Sequence, residues 1–326
     1  IPRTMRILLT GGSGFIGSHL AERLLKDNHE VVSIDNLSTG SLENNHNLVN
    51  NDLFCHHTSE LLSEEGIELL KKEILKCDVI YHLAAAVGVF NVVNHPAKTI
   101  KENIEITEII LDFAKDKNKK IVLFSTSEVY GKSTKLPFNE DDDIILGPSK
   151  YSRWSYAASK LIDEFLGFSY YRQYNLPVVI VRLFNTVGPR QVGHYGMVIP
   201  RFVKQALNGD EITIYGTGKQ SRCFCNVKDT IEALVALINN DDCFGQIFNI
   251  GSSNEITIEG LAKKIIELTG SNSKITYIPY EEAYSEGFED MMRRVPDCSK
   301  IEQYVGWRPK INLDETIEQV IEHMQI

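Results

Sequence analysis

Between Arg6 and Leu183 short apolar runs alternate with longer stretches that repeat their apolar residues every three to four positions. Arg6 to Thr10 reads as a short buried strand, Ser18 to Lys26 as an amphipathic helix, and Glu30 to Ile34 as the next strand, ending at Asp35. Such a strand–helix–strand unit is the start of a parallel sheet with helical crossovers. Val79–Leu83, Ile121–Ser125 and Val178–Leu183 continue it: unbroken apolar runs fit central strands covered on both faces. Helices are predicted near Ile67–Lys76, Thr99–Lys115 and Ser155–Tyr174, with Asn175 and Pro177 closing the last.

Past Asn185 the texture changes. Thr186 to Gly196 holds four glycines or prolines and reads as loop, not sheet. Residues 199–208 then read as helix, 211–215 as strand, Val227–Asn239 as helix, Gln246–Ile250 as strand, and Thr257–Leu268 as helix. Thr257 is a fitting N-cap there and Gly270 a fitting stop, and a last helix starts at Leu313. The fold expected is α/β: a Rossmann-type doubly wound parallel sheet with a smaller, interleaved C-terminal α/β substrate lobe. Residues 5–184 plus 222–253 are assigned to the first part, and 185–221 plus 254–326 to the second.

Composition narrows the class. A chain of 326 residues with a net charge of −10 is ordinary for a globular protein, and argues against nucleic acid or an anionic membrane as partner. The six cysteines (55, 77, 223, 225, 243, 298) have neither disulfide nor zinc spacing, so no metal is expected and a reducing, cytoplasmic setting is. No apolar run reaches the length of a membrane span. Ile1-Pro2-Arg3-Thr4 resembles a tag remnant before a start at Met5.

Chemistry enters with Gly11-Gly12-Ser13-Gly14-Phe15-Ile16-Gly17, placed between the first strand and the first helix. Gly11, Gly14 and Gly17 allow a tight turn, close approach of a pyrophosphate and close helix–sheet packing, with Phe15 and Ile16 opening the helix. Asp35 ends the second strand, where a carboxylate accepts bonds from an adenosine ribose and repels a 2′-phosphate, which points to NAD over NADP. Asn36 beside it, and Leu83-Ala84-Ala85 after a later strand, are further cofactor candidates, and His82 is expected to line the cofactor channel.

Strand Ile121–Ser125 delivers Thr126, Ser127 and Glu128 at its C-terminal end, where open α/β sheets bind ligands. Tyr156 and Lys160, four apart, share a helix face. With Thr126 they can remove the proton of a substrate alcohol while a nicotinamide takes the hydride. Tyrosine titrates at about 10, so this role needs its pKa lowered, for which Lys160 and the nicotinamide are the expected cationic sources. Glu128 is superfluous to a simple oxidation and implies a longer reaction.

With these residues the chain resembles the extended short-chain dehydrogenases/reductases that modify nucleotide sugars, over essentially Met5 to Ile326. The resemblance is strongest to UDP-glucuronate decarboxylases. It rests on Ser125-Thr126-Ser127-Glu128-Val129-Tyr130-Gly131, Arg153-Trp154-Ser155-Tyr156, Arg182-Leu183-Phe184-Asn185 with Gly188-Pro189-Arg190, and Arg222-Cys223-Phe224. Gly287-Phe288-Glu289-Asp290 and Arg293-Arg294-Val295-Pro296-Asp297 complete it.

The resemblance implies NAD as cofactor, a UDP-sugar as substrate and a homodimer built on Thr99–Lys115 and Ser155–Tyr174. It implies Glu128 and Arg294 as catalytic in decarboxylation and C5 protonation, joined to Thr126, Tyr156 and Lys160. Ser127, Asn185, Tyr215, Arg222 and Arg294 would bind substrate, with Tyr215 stacking on uracil or packing in the core. Trp154 is expected to support the helix start. Relatives often carry an acid after the third strand to hold adenine; the corresponding His57-Thr58-Ser59 has none. A 4-epimerase needs only the Tyr and Ser/Thr groups, and a 4,6-dehydratase usually shows Asp where Ser127 stands. Both remain alternatives, as does a non-catalytic NAD(H) sensor.

Overall fold

The structure, a computed structural model, describes residues 3–85, 95–192, 197–283 and 290–326. Ile1-Pro2, Gly193, Gly196 and Gly287-Phe288-Glu289 fall outside the described residues.

Thirteen strands are described. They are β1 (Arg6–Thr10), β2 (Glu30–Asp35), β3 (Phe54–Thr58), β4 (Val79–His82), β5 (Lys120–Thr126), β6 (Val178–Leu183), β7 (Thr186–Val187), β8 (Ile212–Tyr215), β9 (Ser221–Cys223), β10 (Cys225–Asn226), β11 (Ile247–Ile250), β12 (Glu255–Thr257) and β13 (Ile275–Ile278). Seven of them form one parallel sheet in the order β3-β2-β1-β4-β5-β6-β11.

Strand alternation explains why both faces are covered. Ile7, Leu9, Val79, Tyr81, Val122 and Val179 point to one side, against the helices Phe15–Lys26 and Val227–Ile238. Leu8, Val32, Ile80, Ile121 and Ile180 point to the other, against Glu64–Lys76, Pro96–Ala114 and Ser155–Tyr174. Burying each such side chain contributes about 1.5–3 kcal/mol. The polar edge strand β3, with His56 and His57, is only half-buried.

Strand order reverses between β1 and β4, which opens a crevice at the C-terminal strand ends. A smaller lobe closes over it. Helices Val198–Asn208, Ile258–Thr269 and Leu313–Gln325 pack there with β8 and its parallel partner β13 around Phe202, Ile214, Leu261 and Ile317. The Thr257 hydroxyl accepts from Gly260 N at 3.0 Å and Gly270 is left-handed, so both ends of that helix lie as expected.

Two expectations change. Thr186–Val187 is strand, paired with β10, because two residues suffice to bridge the lobes before the Gly/Pro segment starts. Residues 254–326 are also not all in the small lobe. Ile301 and Trp307 sit in the core of the main sheet, and Trp307 Nε1 donates to Asp229 O at 2.9 Å.

Candidate active site

The cleft at the strand ends has a volume of about 640 Å³. Every residue expected to bind cofactor or substrate, or to act in catalysis, lines it.

At its deep end Gly11 turns with φ +77°, and a Cβ on Gly17 would lie 2.2 Å from Gly11 O. A side chain at either position would therefore close the loop's approach to the helix. The helix starts at Phe15, earlier than the periodicity suggests, with no side-chain cap and no acid in its first turn. Its first N–H groups and positive dipole end are thus left for an anion. Asp35 is fixed by Ser13 N at 3.0 Å and Leu37 N at 2.8 Å. Leu83, Ala84 and Ala85 follow β4 along the same wall. These residues fit an adenine dinucleotide.

Glu60, two residues past β3, also lines the cleft and accepts from Asn36 Nδ2 at 2.9 Å. It is an acid one position beyond His57-Thr58-Ser59, on the cleft wall. His82, in contrast, does not line the channel. It is buried beneath it, 2.7 Å from Thr10 Oγ1, which in turn accepts from Ala84 N at 3.2 Å. Burial, and then Lys160, push its pKa down to about 3, so a neutral ring supports the wall from behind.

At the centre, Thr126 ends β5 and caps the short turn Ser127–Tyr130, its oxygen accepting from Glu128 N at 3.2 Å. A hydroxyl that accepts in this way keeps its proton for a ligand. Tyr156 and Lys160 enter from the helix Ser155–Tyr174, and Lys160 Nζ lies 3.2 Å from Asp163 Oδ2.

Here the expected lowering of Tyr156 is not met by the protein's own groups. Burial pushes the phenol up, and the Glu128 and Asp163 carboxylates push it further. Burial is the main cause, and Lys160 is itself paired with the Asp163 carboxylate.

Glu128 is held on two sides. Arg153 Nη1 donates to its Oε2 at 2.6 Å; Arg294 Nη1 donates to its Oε1, with Nη2 3.4 Å from Oε2. Burial opposes ionisation, but the Arg294 and Arg153 guanidiniums outweigh it and hold the carboxyl well below the usual range. Arg153 belongs to the Arg153-Trp154-Ser155-Tyr156 motif, and nothing in that spacing shows that it turns toward Glu128.

Arg222, on β9, pairs with Asp290, whose other oxygen accepts from Tyr280 OH at 3.0 Å. Together the two clusters carry three guanidiniums against two carboxylates, a locally positive site in an acidic protein. Tyr215 ends β8 with the Arg201 guanidinium 4.2 Å from its ring centroid, and Asn185 follows β6 with φ +34°. Ser127 is buried at the same strand end. Trp154 is buried at the helix start, as expected of packing support.

Comparison with known proteins places this arrangement. The sequence profile described as GDP-mannose 4,6 dehydratase matches residues 8–320. A UDP-N-acetyl-α-D-glucosaminuronate decarboxylase of Bacillus cytotoxicus is 42% identical over 97% of each chain. UDP-glucuronic acid decarboxylase 1 of Xenopus tropicalis is 36% identical over 98% of this chain and 72% of its own. Among solved structures, UDP-glucuronic acid 4-epimerase of Bacillus cereus, in complex with UDP-glucuronic acid and NAD, superposes with TM-score 0.88 at 28% identity, covering 98% of this chain and 99% of that one. The glycine loop, the Tyr156–Lys160 pair and this near-complete match together show that the chain belongs to the GDP-mannose 4,6-dehydratase family of extended short-chain dehydrogenases/reductases.

Proposed function

We propose that the protein is an NAD-dependent decarboxylase of a UDP-uronic acid, converting UDP-glucuronate or its 2-acetamido analogue through a 4-keto sugar to the corresponding UDP-pentose. The single observation that carries this reading is the Glu128 carboxylate clamped by Arg153 and Arg294 beside Thr126 and Tyr156. Simple oxidation or 4-epimerisation has no need of such a cluster. The activities named for relatives at 42% and 36% identity support it.

In this reading Tyr156 takes the C4 hydroxyl proton and Thr126 donates a hydrogen bond to the same oxygen. Gly11, Gly14, Gly17 and Asp35 would hold NAD, which would supply a reversible hydride acceptor for C4. A C4 ketone turns the C5 carboxylate into that of a β-keto acid, so loss of CO₂ leaves an enolate that the ketone stabilises; the enolate takes up a proton from water at C5, giving the 4-keto-pentose before a hydride returns to C4. Glu128, held as an anion, accepts bonds and orders the charges around C5. It is not set up to be the immediate proton donor.

Asp35 selects NAD, and Lys160 steadies the nicotinamide end. Arg222 takes the diphosphate, Asn185 and Ser127 the sugar linkage, and Tyr215 the uracil. Arg294 serves both the C5 carboxylate and the diphosphate side.

The active species is inferred to be a homodimer. The helices Pro96–Ala114 and Ser155–Tyr174 pack together and leave Phe165 71% exposed, with Ile162 and Ile100 beside water as well. All six cysteines are free thiols, which supports a reducing, cytoplasmic setting. No described helix is long and apolar enough to cross a membrane.

Proton NMR of the purified protein with NAD and either UDP-glucuronate or UDP-N-acetylglucosaminuronate tests the reading. A UDP-pentose, its 2-acetamido counterpart or the 4-keto-pentose is the expected product. UDP-galacturonate, with the carboxylate retained, would overturn decarboxylation in favour of epimerisation.

A further inference from the structure

Arg153 clamps Glu128 but takes part in no step of the proposed reaction, and it lies between Glu128 and the helix that carries Tyr156 and Lys160. Its side chain is only 7% exposed. It occupies the short turn Ser152–Trp154 that leads directly into the helix bearing Tyr156 and Lys160. The guanidinium carbon lies 5.2 Å from the centroid of the buried Trp154 ring, and Nη1 reaches Glu128 Oε2 at 2.6 Å. Trp154 is in turn locked: a Cβ on Gly147 would lie 2.0 Å from its Nε1, so the two groups are in close contact.

Arg294 reaches the same carboxylate from elsewhere. Its segment is tied to the loop at Phe138, with Phe138 N donating to Val295 O at 2.7 Å and Asp297 N to Phe138 O at 2.9 Å. Glu128 therefore has one guanidinium from the oxidation helix and one from a distant strap, each using a different carboxylate oxygen as its nearest acceptor.

We propose that Arg153 is a positioning residue for decarboxylation, holding the Glu128 carboxylate in place from the side of the oxidation machinery so that Arg294 can engage the substrate without releasing it. The inference rests on the decarboxylase reading. A charged, bidentate-capable group suits this role because a uronate brought next to Glu128 adds a second negative charge, which by itself would push Glu128 toward protonation. The charged and titratable groups facing Glu128 are Arg153, Arg294, Arg222 and Tyr156, with Asp290 behind the two substrate-side arginines. Of the guanidiniums, Arg222 and Arg294 are the ones assigned to substrate, so Arg153 is left as the partner that stays.

The experiment compares wild type, Arg153→Met and Arg153→Lys with a UDP-uronate and NAD. It measures single-turnover NADH formation, UDP-pentose formation by NMR, KM, and the pH dependence of both steps. In Arg153→Met, product formation should fall about a hundredfold, the loss typical of a misplaced catalytic group. NADH formation should slow much less, KM should change little, and the acid limb of product formation should move up in pH. Arg153→Lys should recover part of the rate and of the limb. Product formation at the wild-type rate in Arg153→Met overturns the proposal. So does an equal loss of both steps with an unmoved acid limb and no recovery by lysine, which marks a purely structural arginine. If wild type itself retains the carboxylate, the decarboxylase reading falls first and this inference with it.

Discussion

Tyr156 sits among groups that keep it protonated. Burial, Glu128 and Asp163 all raise it above the ordinary phenol value, so the base role proposed for it needs positive charge of the kind a bound nicotinamide would supply. Tyr156→Phe should lower kcat by about a thousandfold, within the range for loss of a general base, while isothermal titration still shows UDP-sugar binding. Glu128 is perturbed the opposite way. Its folded-state pKa is depressed by Arg294 and Arg153 against the effect of burial. The stabilisation it contributes is therefore complete above the usual carboxylate range and lost as pH falls below it. Thermal melts from neutral pH downward should show wild type losing more stability than Glu128→Gln, whose own stability at neutral pH is already lower because two buried guanidiniums have lost an anion. Residue types were legible in the chain wherever a local pattern announces them, as for Gly11, Asp35, Tyr156 and Lys160. Glu60 and Arg153 were not, because each acquires its meaning from a partner that only tertiary folding supplies.

The helix Ser155–Tyr174 shows how far patterning reaches at the level of one element. Its bounds were read from the sequence, but its inner face buries Lys160, Asp163 and Glu164, while Phe165 and Ile162 point outward. The inversion follows from two separate demands. The inner face meets the active site and the buried Arg182, whose Nη2 lies 2.7 Å from Glu164 Oε1. The outer face carries apolar surface that water does not favour. Phe165→Glu should convert the proposed dimer to a monomer in light scattering coupled to gel filtration, and retain the monomer's fold by circular dichroism. Elsewhere the helices Pro96–Ala114 and Phe15–Lys26 begin about one turn before their amphipathic stretches, at Pro96 and at the glycine loop, since a first turn needs no apolar stripe to form. The strand Thr186–Val187 was illegible for another reason: two residues carry no period.

On the scale of the molecule, the parallel sheet was evident from its unbroken apolar strands, whereas the path of the last 70 or so residues was not. They leave the main body at β12, enter the small lobe, return with Ile301 and Trp307 to the main core, and pass back into the small lobe as the helix Leu313–Gln325. Removing residues 299–326 should therefore abolish cooperative unfolding of the whole chain in calorimetry, not merely weaken substrate binding, because the main core loses Ile301 and Trp307 and the small lobe loses Ile317 and Val320, buried side chains at about 2–5 kcal/mol each. The same return path carries Arg294. Asn249, buried at the sheet, donates to Phe138 O at 2.9 Å and to Asp297 O at 3.1 Å, and accepts from Tyr130 OH at 2.7 Å. So the arginine that meets Glu128 is anchored to the sheet, while Tyr215 and the Arg222–Asp290 pair belong to the strands and loops of the covering lobe. This arrangement makes the protein modular in an evolutionary sense. Under the proposed function, changes at Tyr215 or Arg222 act on nucleotide binding while the Glu128–Arg294 contact keeps its anchor on the sheet.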